Sequence, residues 1–405
     1  MEFAFTPEQE EFRQEVKEFI KKEVTPELRA YTEGAARYIG AKEHIQGMGS
    51  PPGKEFVRKL GAKGWIGMSL PKKYGGHERP LTDEFIVQEE LLFAGLPYPL
   101  TGASMVAPTL LAVATEEMKQ EYIPAIVRGE IDFSLGYSEP EAGTDLANIG
   151  TRAVRDGDEY VINGQKIFST EAHSAEYMWL GARTNMDGPK HKGLSLFIIP
   201  QQHPNISLSP MQAMGGGRTN IVYLDNVRVP ATSLVGTEEN KGFYQMMLAI
   251  DWERLVLCSC MNYVPIFLEL IKYCKETKVG GQSMIEDPLI GQSLAELHVR
   301  FQICRLLLWR ALWMVDNQIV PNYETAMLKV HQSDLQQRLA IAGTDITGHY
   351  GMLRHGSPLA LTMQQIDLDM ENLYRVCPHP VFAGGTMAVM KTIISSRGFG
   401  LPRAY

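Results

Sequence analysis

At 405 residues the chain exceeds the ~100–200 residues of one ordinary domain, so two or three domains are expected. A hydrophobic content of 44% with 21% charged residues is that of a soluble globular protein. The net charge of −8 excludes a chain dominated by a basic nucleic-acid face, but leaves room for an anionic ligand held by a few arginines or helix N-termini. Cys258, Cys260, Cys274, Cys304 and Cys377 are odd in number and lack paired metal-ligand spacing. They are expected to be buried, reduced thiols of a cytoplasmic protein, with no metal site. The opening Met-Glu-Phe-Ala-Phe turns polar at once, unlike a signal peptide, and the uncharged run 255–268 is shorter than the ~18 residues of a membrane span.

The first elements are helical. Thr6-Pro7-Glu8-Gln9 combines a capping hydroxyl, a proline at the first helical position and a glutamine able to return the capping-box bond. Phe12, Val16, Phe19 and Ile20 follow at helical spacing, and similar patterns recur over 84–93 and 115–127. Residues 1–130 therefore read as an α-helical domain, punctuated by turns at Gly64-Trp65-Ile66-Gly67 and Tyr74-Gly75-Gly76. From Phe133 to about Gly236 the chain offers short runs of strand formers (159–163, 177–183, 194–199, 220–224) separated by Gly, Asp, Asn and Pro, which predicts a β domain over 131–240. Beyond Lys241 the strand signals stop. Long apolar periodicities over 242–276, 288–316, 322–347 and 382–396 predict a helical bundle over 241–405, giving an α+β chain in the order α, β, α.

Phosphate-binding glycine loops fail on spacing: Gly215-Gly216-Gly217 and Gly384-Gly385 fit neither a dinucleotide nor a P-loop fingerprint. No HExxH helix and no GxSxG elbow is present. Three segments instead stand out. Tyr137-Ser138-Glu139-Pro140-Glu141-Ala142-Gly143-Thr144-Asp145 opens the β region, Gly164-Gln165-Lys166-Ile167-Phe168-Ser169-Thr170 follows, and Leu224-Asp225-Asn226-Val227-Arg228-Val229-Pro230 leads out through Leu234-Val235-Gly236. In this order they resemble the signatures of the acyl-CoA dehydrogenase family, and Gly64, Pro71, Tyr74-Gly75-Gly76 and Lys119, Tyr122, Pro124, Gly129-Glu130 extend the resemblance over nearly the whole chain.

The resemblance implies an N-terminal helical domain, a β-barrel-like middle domain, a C-terminal four-helix bundle and FAD between the last two. It implies flavin contacts from Tyr137, Ser138, Phe168 and Thr170, with Phe168 where relatives usually have tryptophan, and a reach to the flavin diphosphate from Thr386. Many members carry the catalytic base in a Y-E-G-T sequence, but here that stretch is Ala383-Gly384-Gly385-Thr386 and the acidic position is Gly384. The isovaleryl-CoA dehydrogenase branch places its base before an arginine on a helix, in a sequence like Ile250-Asp251-Trp252-Glu253-Arg254-Leu255-Val256-Leu257. Glu253 is thus the expected base, its pKa raised by apolar surroundings. Asp251, Arg254, Gly384, Gly385 and Thr144 match substrate-side positions, and the Gly384 N–H can polarise the thioester carbonyl. Taken alone, Glu253 beside an arginine is more often a surface or salt-bridged residue, and Phe168 in a strand is more often core.

Departures fall where relatives complete a neighbour's flavin site. An arginine there aligns with Thr277, a glutamine with Asp345 and a glycine with His349, leaving His349 as either a packed histidine or a diphosphate contact. The expected activity is FAD-dependent α,β-dehydrogenation of a branched, cyclic, aryl-substituted or dicarboxylic acyl-CoA. Electrons would pass to an electron-transfer flavoprotein, in a homotetramer or a hetero-oligomer. Gly102 and Ala103 suggest a roomy acyl pocket. The alternatives are an acyl-CoA oxidase or flavin monooxygenase, and a non-catalytic subunit that completes a partner's FAD site.

Overall fold

The computed structural model describes residues 4–32, 49–354, 357 and 369–402. Residues 1–3, which open the N-terminus read above, lie outside them. Helix α1 (Pro7–Glu23) starts at the expected capping box: Gln9 N–H donates to Thr6 Oγ1 at 3.2 Å and Thr6 N–H to Gln9 Oε1 at 3.1 Å. Its buried face is Phe12, Val16, Phe19 and Ile20. Helices α2 (Pro26–Thr32), α3 (Pro51–Ala62), α4 (Leu81–Phe93), α5 (Ala107–Val113) and α6 (Glu116–Val127) pack around the same core. Between α4 and α5 the chain winds through a π turn, Gly102–Val106.

Seven strands form the middle of the chain: β1 (Phe133–Gly136), β2 (Arg152–Asp156), β3 (Glu159–Lys166), β4 (Tyr177–Arg183), β5 (Leu194–Pro200), β6 (Ile206–Gln212) and β7 (Arg218–Pro230). β4 pairs antiparallel with β5 along one edge and parallel with β1 and the start of β2 along the other; β3, β7 and β6 continue the sheet. The period of two divides β4 and β5 between two cores. Trp179, Leu194, Leu196 and Ile198 face the N-terminal helices, while Met178, Leu180, Ala182, Phe197 and Ile199 fill the inside of the sheet. β1, β2 and β6 are absent from the strands expected above. β2 is Arg-Ala-Val-Arg-Asp with Ala153 its one buried residue, and β6 contains Pro210, tolerated because β6 is an edge strand.

The C-terminal part comprises α7 (Gly242–Leu257), α8 (Val264–Glu276), a hairpin of β8 (Lys278–Val279) and β9 (Gln282–Ser283), then α9 (Pro288–Asp316), α10 (Glu324–Thr347), α11 (Met370–Val376), α12 (His379–Phe382) and α13 (Met387–Ile393). Two expectations are corrected here. The helical run 242–276 breaks after Leu257, because Pro265 lacks the N–H to continue a helix and instead starts α8. The run 382–396 breaks at Gly384 and Gly385, whose φ of 67° and 101° lie in the left-handed region. All five cysteines are free and buried. No helix among the described residues is long and apolar enough to cross a membrane, and no His, Cys, Asp and Glu cluster among them could hold a metal. α7 lies against β4, β5, α5 and α10, so its side chains reach all three parts of the molecule.

Candidate active site

α7 carries Asp251, Glu253 and Arg254. Arg254 is buried and grips two elements: its Nη1 pairs with Asp251 Oδ1 at 2.5 Å, and its Nε donates to the Gly384 carbonyl at 3.4 Å. A Cβ on Gly385 would lie 3.3 Å from Arg254 Nη2 and 2.8 Å from Met390 Cε, so the glycine permits this close approach. Beneath the turn sits Lys329 of α10, which sequence reasoning missed. It is 4% exposed, and its Nζ donates to the Pro380 carbonyl at 2.7 Å, a carbonyl that Ser333 Oγ also reaches at 2.9 Å. The available signal was the spacing of Thr325, Lys329, Gln332, Ser333 and Gln336, a polar stripe on the buried face of one helix.

Glu253 is half-buried between these cations. Burial pushes its carboxyl up to about 7, against the opposing pull of Arg254 and then Lys329. The Glu253 charge is also felt at Tyr137, whose hydroxyl burial raises well above the ordinary range and Glu253 raises further. Tyr137 is fixed in turn by Trp179, whose Nε1–H donates to its hydroxyl at 2.7 Å.

Two of the sequence segments are bolted together through a fully buried pair. Lys166 Nζ donates to Glu139 Oε1 at 2.7 Å and to the Tyr137 carbonyl at 3.3 Å; Glu139 also accepts from the N–H groups of Gly150 and Thr151. Burial brings the Lys166 ammonium down to about 8 against the support of Glu139. For Glu139 burial works upward, but Lys166 and the donors outweigh it and its carboxyl is held low. Ile167 N–H donates to the Ser138 carbonyl at 2.9 Å, which sets Phe168, Ser169 and Thr170 beside Ser138. Phe168 lies just past β3 with φ of 59° and is 61% exposed as a residue. A bulky residue held in the left-handed region costs about 1–3 kcal/mol, a strain found where a site requires it.

Thr386 caps α13, accepting from Val389 N–H at 3.3 Å next to Gly385. Thr144 is exposed on the loop between β1 and β2 and joins neither cluster through its side chain. His349 is exposed in the 3-10 turn Gly348–Met352 after α10 and is not packed within this chain. Asp345 is also exposed and lines a hollow of about 880 Å³ between the β8–β9 hairpin, α9 and α10, remote in its lining from Glu253. A different cavity, of about 740 Å³, lies along α7, with Leu248, Trp252 and Leu255 in its wall opposite Phe85, Ala103 and Leu111. Gly102 does not line it. Its N–H donates to Asp132 Oδ1 at 2.7 Å, and a Cβ there would meet that same oxygen at 3.0 Å, so its small size serves packing.

This arrangement offers a carboxylate whose pKa burial raises toward neutrality and an exposed aromatic side chain. Residues 6–130, 134–227 and 240–399 match the acyl-CoA dehydrogenase N-terminal, middle and C-terminal domain families respectively. The chain belongs to the acyl-CoA dehydrogenase family. Among its relatives is acyl-CoA dehydrogenase FadE26 of Mycobacterium tuberculosis, 34% identical over 414 residues and covering 100% of both chains. A chain of the ChsE4-ChsE5 complex from Mycobacterium tuberculosis superposes with a TM-score of 0.87 at 34% identity, and a chain of the Tcur3481-Tcur3483 steroid ACAD with 0.87 at 32%, each over 100% of both chains. The acyl-CoA dehydrogenase is an oxidoreductase acting on acyl-CoA, of a family that depends on FAD. The residues present fit a flavin, because the strained, solvent-facing Phe168 ring and the adjoining Ser138 and Thr170 offer an apolar face with polar edges.

Proposed function

We propose that the enzyme oxidises a ring-bearing or branched acyl-CoA between Cα and Cβ, with Glu253 as the base that removes the α-proton. The observation that carries this reading is Glu253 itself, a carboxyl raised to about 7 and set between Tyr137 and the Arg254–Gly384 turn. A base needs a pKa near the working pH to be both ionised and strong enough to compete for a weakly acidic C–H. The Cα–H bond breaks as the Glu253 oxygen takes the proton, and the Cβ hydride leaves with its electron pair. FAD, when bound, supplies the hydride acceptor.

Tyr137, Ser138, Phe168 and Thr170 would hold the isoalloxazine ring, with Thr386 and His349 toward the diphosphate. The Gly384 N–H donates to no backbone carbonyl among the described residues and is free to polarise the thioester carbonyl, which makes the Cα–H more acidic. Arg254 fixes that turn through the Gly384 carbonyl and Asp251 fixes Arg254, while Gly385 permits the approach and Thr144 would meet the CoA arm. A bulky acyl group is favoured by the space left at Gly384, where an added Cβ would meet nothing nearer than 3.9 Å, and by the steroid ACAD among the relatives. Electrons would leave through an electron-transfer flavoprotein.

Replacing Glu253 with glutamine keeps the side-chain shape and removes the base. Flavin bleaching in stopped flow should slow by a factor of roughly 10²–10⁴ while acyl-CoA still binds. Bleaching at close to the wild-type rate would transfer the role to another residue, with Asp251 the next candidate. A second reading, a hetero-oligomer in which this chain shares a flavin site with a different subunit, is favoured by Thr277 and by exposed Asp345 at positions where relatives complete a neighbour's site. A native mass and a flavin count per chain separate it from a homotetramer.

A further inference from the structure

The face of α7 that carries Glu253 runs from the sheet to the Gly384 turn. Met246, Ala249 and Ile250 pack into one core with Tyr137 and Trp179. A Cβ on Gly181 of β4 would meet Met246 Sδ at 2.6 Å, so helix and sheet lie in close contact there. Glu253 is the next position on that face at helical spacing, and Leu257 beyond it meets Gly384. Tyr137 follows β1 and shares the sheet face of Leu135, the residue in register with Trp179 of β4. The base and the phenol therefore border the same space, one from the helix and one from the sheet.

Each of the two lacks what the other offers. A phenol hydroxyl both donates and accepts. The accepting side of Tyr137 is taken by Trp179 Nε1–H at 2.7 Å, which leaves its proton to be donated, and no acceptor for that proton stands among the described residues. The Glu253 carboxylate can only accept when ionised, and it takes no hydrogen bond among the described residues: burial, Arg254 of its own helix and Lys329 of α10 are what act on it. Tyr137 does not compete as a base, because burial and then the Glu253 charge hold its own proton on. Cys258, just past α7, is likewise kept protonated by burial, at about 11, and Asp251 is paired to Arg254 at 2.5 Å.

We propose that Tyr137 is a positioning residue for the base: with acyl-CoA in place its O–H donates to one Glu253 oxygen and leaves the other facing the α-proton; this rests on the dehydrogenase reading above. Glu253 is half-buried, and an acyl group laid beside it expels the water at its exposed side. That loss would push the carboxyl further up and leave less of it ionised at neutral pH. A donor fixed in the wall offsets the rise without adding a charge, and it holds the carboxylate in one orientation. Trp179 makes the donor directional, since a phenol whose accepting side is occupied turns its proton away from the indole.

The test uses the FAD-loaded enzyme, single-turnover bleaching and two probes, cholanoyl-CoA and isovaleryl-CoA. In Tyr137→Phe the midpoint of the limiting reduction rate should rise by about half a unit to one unit, which lowers the rate at pH 7 about two- to fivefold by ionisation alone. The acyl-CoA and FAD dissociation constants should stay within about twofold of wild type, and the visible spectrum of the bound flavin should not move. Tyr137→Phe strands the Trp179 N–H, so the double variant Tyr137→Phe with Trp179→Phe is the control. It removes both halves of the pair and should show the same raised midpoint. In the Glu253→Gln background Tyr137→Phe should cost little more, because the residue acts through the base. A midpoint unmoved or lowered in both the single and the double variant would overturn the inference while leaving the dehydrogenase standing. An altered flavin spectrum beside an unmoved midpoint would also overturn it, by assigning the proton to the flavin. Bleaching by neither probe would overturn the dehydrogenase reading and this inference with it.

Discussion

The pH dependence of flavin reduction should report Glu253 directly. With the carboxyl raised to about 7 by burial, about a tenth is ionised at pH 6 and about nine-tenths at pH 8, so the rate at saturating acyl-CoA should climb nearly tenfold across that interval. A carboxyl at its ordinary value would already be ionised at pH 6, and the profile would be flat. Lys329 offers the perturbation. Its ammonium lowers the Glu253 pKa, so Lys329→Met should move the midpoint upward by roughly one unit and slow reduction at pH 7. The fold should tolerate this change, because Ser333 Oγ keeps the Pro380 carbonyl occupied at 2.9 Å and methionine fills the space of the lysine stem. Lys329→Arg should restore the midpoint toward that of the wild type. The assay is single-turnover bleaching from pH 5.5 to 8.5. A wild-type rate that does not rise through neutrality, or a Lys329→Met midpoint that is unmoved or lowered, would refute the electrostatic reasoning.

Phe168→Gly should relieve the left-handed strain and leave thermal stability nearly unchanged, yet weaken FAD binding about tenfold or more by removing the aromatic face; equilibrium titration of the apoprotein with FAD measures this. Lys166→Met should leave the Glu139 carboxyl buried without its cation and cost about 3–5 kcal/mol in urea unfolding, far more than Lys190→Met beside exposed Asp145, where the loss should stay below about 1 kcal/mol. Gly384→Glu in the Glu253→Gln background should recover only a small part of the lost bleaching rate. The new Cβ has room, with Leu257 and Lys329 at 3.9 Å, but the φ of 67° strains any side chain there. Recovery to the wild-type rate would show that the turn relaxes freely.

Much of this architecture was legible because local chemistry and tertiary contacts agree. The Thr6 capping box, the end-to-end match of α9 with 288–316 and the apolar run of β5 each announce their own element. The three motif segments were legible as sequence, but their physical meaning was not. Glu139 and Lys166 are 27 residues apart, and only the fold reveals one as the buried counter-ion of the other. β2 and β6 escaped because an edge or solvent-facing strand buries too few residues to leave an alternation. Lys329 escaped for the opposite reason: a single buried lysine in a long helix looks like any solvated one until the turn at Gly384 is laid over it.

The position of the base on α7 bears on what the Gly384 turn can carry. Glu253 shares its face of α7 with Leu257, which meets the Gly384 turn, whereas Leu248, Trp252 and Leu255 line the cavity from the opposite side of the helix. A carboxylate mounted on the Gly384 turn would begin 3.9 Å from Lys329 and so enter the field that already serves Glu253. Two carboxylates sharing that field would push one another's pKa upward, and one would stay protonated at neutral pH. A single carboxylate on α7 avoids this conflict, and it leaves the Gly384 turn to Arg254 and to backbone hydrogen bonding alone. The arrangement suits an acyl group too bulky to share its space with a side chain from the turn, since it needs no atom at Gly384 beyond the main chain.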